Sequence, residues 1–162
     1  MSTSAIAKWI PWYQTGAGLG GLYVLAASGA YHANGPPIAR LLLTAFLAAY
    51  CLLLAGAGIL LLRRRPGGVL LSQLAQSFQI PQVATHIITY SLFTPLSLAL
   101  LFKANFDVGL EFNIAAEFRL RFGHAPDVAA VGVNLIPLVV LYLLRRHGRL
   151  WETPVVREGV AA

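Results

Sequence analysis

The stretch FDVGLEFNIAAEFRLRF, Phe106 to Phe122, carries an apolar residue at every even position and mostly polar or charged residues between them. Alternation with period two is the rhythm of a half-buried strand; the same positions would scatter around a helix without forming a stripe. An unbroken strand over these 17 residues would extend about 56 Å at roughly 3.3 Å per residue, far beyond ordinary strands, so the segment is expected to fold back. Its apolar parity never switches, so the reversal consumes an odd number of residues. Asn113, the best turn former near the middle, favours a tip near 113–115, centred on Asn113 or Ala115. A tip centred on Asn113 sets Asp107 opposite Arg119, whereas centring on Ile114 opposes Glu111 to Glu117. The expectation is an external β-hairpin over about 106–122. Asp107, Glu111, Glu117, Arg119 and Arg121 are its candidate interaction surface for a protein partner or lipid, with exposed edges able to pair with a partner or a second copy.

The rest of the chain reads as membrane helix. Of 162 residues, 57% are hydrophobic and 11% charged, a balance far from that of a soluble domain. Charge-free runs span Trp9 to Ala39, Leu41 to Leu62, Pro66 to Phe102 and Val128 to Leu144. A helix needs about 20 apolar residues to cross roughly 30 Å of hydrocarbon, and four crossings fit these runs. The expected fold is an all-α membrane protein, a four-helix transmembrane bundle in a single domain, with crossings at about 12–32, 38–62, 81–102 and 127–145. The first run has Trp9, Trp12 and Tyr13 at one end, Tyr31 at the other and no clear cleavage site, so it reads as a helix and not as a signal peptide. Asn34 to Pro37 makes a short loop, with the prolines opening the second helix.

The formal charge of +6 does not imply nucleic acid, because the basic residues sort by loop. Of the 12 Lys and Arg residues, Lys8, Arg63, Arg64, Arg65, Arg145, Arg146, Arg149 and Arg157 fall on one side of the four crossings. Arg40, Lys103, Arg119 and Arg121 fall on the other. By the positive-inside rule both termini and the Arg63–Arg65 loop are cytoplasmic and 106–122 is outside, in a membrane of the bacterial inner type. The arginines then serve as topology anchors that contact lipid headgroups.

Between the arginine turn and the third crossing lies VLLSQLAQSFQIPQ. Leu70, Leu71, Leu74, Ala75 and Phe78 share one helical face there, and Ser72, Gln73, Gln76, Ser77 and Gln79 the other. This predicts an amphipathic helix over 68–79 lying along the cytoplasmic interface; a re-entrant half-helix is the alternative. The third crossing carries a polar stripe, His86, Tyr90, Thr94 and Ser97, that should face protein. Asn134 adds a polar group in the fourth. A neutral His86 hydrogen-bonded for packing is favoured over a proton relay, since Arg40, Asp127 and Arg145 lie at the ends of their crossings and no charged residue lies in the interior of any.

Other chemistry is poorly represented. The single cysteine, Cys51, makes no internal disulfide and reads as a small apolar filler. No pair of histidines faces a common iron, no metal-ligand spacing appears, and the outer acidic loop has no nucleophile, so no catalytic, cofactor or metal residue is assigned. Gly16-x-x-x-Gly20 and Ala17-x-x-x-Gly21 predict close helix packing, within the chain or in a homo-oligomer. The sequence therefore favours a noncatalytic membrane protein whose external β element binds a partner or lipid. An oligomeric channel or carrier for a neutral solute, lined by the third helix, comes second and a membrane enzyme third.

Overall fold

The computed structural model describes residues 5, 7–27, 37–93, 96–114, 117–122 and 128–152. Helix α1 (Ile10–Ala27) and helix α2 (Pro37–Leu62) pack antiparallel. Small residues let the two backbones touch. A Cβ on Gly18 would sit 2.5 Å from the Ala55 amide nitrogen, one on Gly21 would sit 2.7 Å from Cys51 Sγ, and Gly58 lies against Pro11 and Thr15. Cys51 is buried in this seam. Leu41–Leu62 is the only helix among the described residues long and apolar enough to cross a membrane.

The chain turns through Arg64 (φ 49°) and Gly67 (φ 87°), both left-handed, and glycine adopts that backbone at no steric cost. Helix α3 (Gly68–Phe78) then runs back along α2. Gly68 lies on the Leu60–Leu61 backbone, while farther on Tyr50 donates to the Ala75 carbonyl at 3.2 Å and meets Phe78 edge-on. A helix is expected here and it forms, with part of its polar side turned toward the other helices and not toward water. Ser72 and Gln76 are fully buried, whereas Leu70, Leu74 and Phe78 are exposed.

From Pro81 the chain is extended. Strands β1 (Pro81–Ala84), β2 (Ile88–Phe93), β3 (Leu96–Lys103), β4 (Val108–Ile114), β5 (Glu117–Phe122) and β6 (Ala130–Asn134) form one antiparallel sheet in the order β4-β3-β6-β1-β2-β5. Helix α4 (Leu135–His147) and the short α5 (Arg149–Glu152) follow. The all-α four-helix transmembrane bundle is therefore not the fold. The third expected crossing, 81–102, is strand, and the fourth, 127–145, contains β6 before a helix of 13 residues. A continuous apolar run looks alike in a buried strand and a buried helix, and periodicity cannot separate them.

The period-two segment is strand, but it does not pair with itself. Ile88 faces Phe122 in the β2–β5 ladder and Leu96 faces Ile114 in the β3–β4 ladder, one shared register. Residues 88–93 and 96–103 thus belong to one arm, and 108–114 and 117–122 to the other arm, of a single hairpin. Its tip is 104–107. Lys103 N donates to Asp107 O at 2.9 Å, Phe106 N donates to Lys103 O at 3.0 Å, and the Asn105 side chain accepts from Asp107 N at 3.4 Å. Phe106 takes a left-handed φ of 63°. The tip expected at Asn113 is overturned, because Asn113 faces Ser97 and Arg119 faces Ser91. Asp107 pairs with the Lys103 ammonium at 3.4 Å.

Residues opposite each other in an antiparallel ladder share a face, and the registers sort the sheet into two. Val83, Tyr90, Leu92, Leu98, Leu100, Phe102, Val108, Leu110, Phe112, Ile114, Phe118, Val131 and Val133 form an apolar face. Gln82, Thr89, Ser91, Ser97, Ala99, Lys103, Glu111, Asn113, Gly132 and Asn134 form a polar or small one. Part of the apolar face joins a core with the helices, where Leu92, Tyr90 and Phe118 meet Ala17, Tyr50, Leu54 and Ala75. A second core at the other end of α2 joins Ala7, Ile10, Leu61, Val69, Val140, Leu143, Leu144 and Trp151.

Candidate functional site

The polar face of the sheet is partly buried. The Gln82 amide nitrogen donates to Ser97 Oγ at 3.2 Å, and both side chains are inaccessible or nearly so. Asn134, opposite Ala99, caps α4: its Oδ1 accepts from Ile136 N and from Leu98 N, each at 3.2 Å. The cap satisfies one of the amides that every helix N-terminus leaves without an intrahelical partner. Gly132 lies directly under the Leu101 side chain, and a cleft of about 360 Å³ reaches Thr89, Ser91, Lys103, Glu111 and Asn113.

The structure divides the expected stripe of polar residues. Ser97 and Asn134 share this face, two pairs apart along β3. Tyr90 lies on the apolar face and donates its hydroxyl to the Phe78 carbonyl at 2.7 Å, tying β2 to the end of α3. His86 is exposed in the turn between β1 and β2, where Thr85 N donates to Ile88 O at 2.9 Å. Thr94 lies outside the described residues. The stripe was laid out at helical spacing, and in a strand those spacings fall on both faces. Of the charged set, Asp107 is at the hairpin tip and Glu111 is exposed at the cleft. Glu117, Arg119 and Arg121 hold register positions opposite Phe93, Ser91 and Thr89.

A second polar site went unmarked in the sequence. Ser72 of α3 donates to Gln14 Oε1 of α1, and both are fully buried. One turn along α3, neither the amide nitrogen nor the oxygen of Gln76 has a partner among the described residues, and Gln14 Nε2 has none there either. Each such group costs about 1–3 kcal/mol unless something fills the space. The signal was present in the spacing of Ser72 and Gln76; what covers that side was not.

Outside this interior many large apolar residues are exposed. Val108, Leu110, Phe112 and Ile114 on β4 are 58–73% exposed, and at the tip Phe106 is 99% exposed. Leu70 and Leu74 of α3 and Leu138 and Val139 of α4 are also exposed. The cations gather at one end. Lys8, Arg63, Arg64, Arg65, Arg145, Arg146 and Arg149 are all exposed, each within a few residues of the core that joins Ile10, Leu61, Val69, Leu144 and Trp151. Gly16 and Gly20 meet nothing within 4 Å, so the contact with α2 runs through Gly18 and Gly21. Among the described residues no three His, Cys, Asp or Glu side chains are grouped to hold a metal ion. No family model, curated protein or solved structure matches the chain.

Proposed function

We propose that this chain is a noncatalytic integral membrane protein, held by α2, whose sheet presents an apolar outer surface to a protein partner or to lipid. The observation that carries this reading is the inversion of polarity: Gln14, Ser72, Gln76, Gln82, Ser97 and Asn134 are buried while the large apolar residues of β4 and of α3 are exposed. A soluble domain rarely leaves contiguous apolar patches of that kind uncovered, whereas a surface facing acyl chains or a partner requires them. The basic end, from Lys8 to Arg149, fits the cytoplasmic headgroup layer. With α3 running back along α2, the exposed Leu70, Leu74 and Phe78 are placed to meet lipid. The runner-up, a path for a neutral solute lined by a third helix, has no such helix behind it among the described residues, where Tyr90 and Ser97 stand in strands and His86 in a turn.

The test is extraction and binding. Membranes carrying the full chain should retain it through an alkaline carbonate wash. In vesicles of neutral and of anionic lipid, substituting Leu110→Ser and Phe112→Ser together should weaken capture of lipid or partner without releasing the chain. Release by carbonate defeats the anchored reading, and unchanged capture defeats the role of the sheet's outer surface.

A further inference from the structure

The apolar surface of β4 is also a free sheet edge, and the occupant that fits both properties is a second copy of this chain. The inference rests on the proposal that the outer surface of the sheet is a contact surface, and names what it contacts. Among the described residues β4 and β5 end the strand order; β4 has β3 on one side alone and exposed apolar side chains, whereas Phe118 of β5 packs on the helical core.

Its backbone orientation follows from the hairpin tip. Lys103 and Asp107 form the first hydrogen-bonded pair, and such pairs alternate along an antiparallel ladder with pairs whose N–H and C=O groups point outward. Gly109, Glu111 and Asn113 therefore turn their amides toward β3. Val108, Leu110, Phe112 and Ile114 turn theirs away. The partner strand agrees, since Leu98 N leaves the β4 side to donate to Asn134 Oδ1 and Ala104 N to donate to Ala129 O.

The residues with free backbone groups are thus the residues with exposed apolar side chains. Lipid covers the side chains but offers the amides nothing, and water does the reverse. Only another strand with the same alternation meets both requirements. Natural edges are usually blunted by lysine, proline or a bulge, and β4 (VGLEFNI) has neither lysine nor proline and keeps an unbroken register with β3.

We propose that two copies pair antiparallel along Val108–Ile114 about a two-fold axis at Phe112. The parity of the strand requires even residues to face even residues, or apolar side chains would oppose polar ones. Centring on Glu111 would set that carboxylate against its own copy. Centring on Phe112 sets it against Asn113 of the second copy, with Leu110 against Ile114 and Phe112 against itself. The interface is isologous and closes as a dimer.

Single cysteines in the full-length chain in native membranes, over Cys51→Ala, test the register. At Phe112 the two Cα atoms would lie about 5.5 Å apart, within disulfide reach, so Phe112→Cys should cross-link on mild oxidation. Leu110→Cys and Glu111→Cys should not. Phe112→Pro should abolish the dimer yet leave the β3–β4 ladder whole, because the lost N–H points outward. Should that variant fail to fold, Leu110→Lys places a charge in the seam and should abolish the dimer as well. Subunit number is read by native mass spectrometry from lipid nanodiscs. A monomer, a dimer that survives both substitutions, or cross-linking at Gly16→Cys in place of Phe112→Cys overturns the proposal. Carbonate washing of the same membranes separates the two failures: a chain that is released sinks the anchored reading, whereas a retained monomer sinks the edge pairing alone.

Discussion

At the scale of single residues, two positions show how much one backbone choice or one amide can control. Phe106 holds a left-handed φ of 63° while its side chain is 99% exposed. That conformation costs a residue other than Gly, Asn or Asp about 1–2 kcal/mol, and no packing offsets it within the chain. Phe106→Asn should therefore raise stability by roughly 0.5–1 kcal/mol in chemical denaturation. If the tip is part of the contact surface, the same variant should bind lipid or partner less well; a gain in both would remove Phe106 from that surface. Asn134 is the opposite case, buried, capping α4 and accepting from Leu98 N as well. Asn134→Ala should cost about 2–3 kcal/mol, because it removes a cap and strands the Leu98 amide. A loss under 1 kcal/mol would mean that water or a shift of α4 replaces the acceptor.

At the scale of elements, the strand character of 106–122 was legible and its partner was not. Alternation fixes the type of a segment and which residues share a face. It does not say which other segment supplies the ladder. The partner, 88–103, contains the run LSLALLFK, whose inward positions Ser97 and Ala99 are small enough that the whole reads as a membrane helix. The turn that joins the arms lies at the very start of the period-two segment, where Asn105 accepts from Asp107 N, and the turn former in the segment's middle, Asn113, drew the tip away from it. In α3 the helix and its apolar side were legible but the burial of Ser72 and Gln76 was not, since an amphipathic pattern does not say what covers its polar side. The glycines of α1 were legible as a class only: Gly18 and Gly21 touch α2, while Gly16 and Gly20 face outward. A scan should separate them. Gly18→Ala forces a Cβ to 2.5 Å from Ala55 N, so it should cost about 1–3 kcal/mol in the thermal melt. Gly16→Ala should be neutral. Equal sensitivity at both positions would mean that the outward pair is also packed, against something other than this chain.

At the scale of the whole molecule, the open question is how deep the sheet lies. The expected third crossing would have carried the chain out of the cytoplasm before the strands, but among the described residues between Arg65 and Asn134 the one helix is α3. Helix α3 returns along α2 from Leu61 to Tyr50, and the sheet then meets α2 near its middle, with the Phe118 ring 5.9 Å from Phe46 and Leu92 in the same core as Tyr50 and Leu54. If Leu41–Leu62 crosses the bilayer, the sheet is level with hydrocarbon and not with the headgroups. Hydrocarbon tolerates strands only where every backbone group is satisfied, which is the same demand that the free edge of β4 makes. Depth and edge pairing are therefore linked, and nitroxide scanning in liposomes can read the depth. Labels at Leu52 on α2, Leu74 on α3, Phe112 on β4 and Val139 on α4 all replace exposed apolar residues. Each should be more accessible to oxygen than to a water-soluble nickel chelate, with Arg64 showing the reverse. A label at Phe112 should also broaden by coupling to its own copy, and dilution with unlabelled chain should remove the broadening. If Phe112 reads as aqueous and uncoupled while Leu52 reads as lipid, the sheet stands outside the membrane, and its apolar surface must be covered there by a different protein.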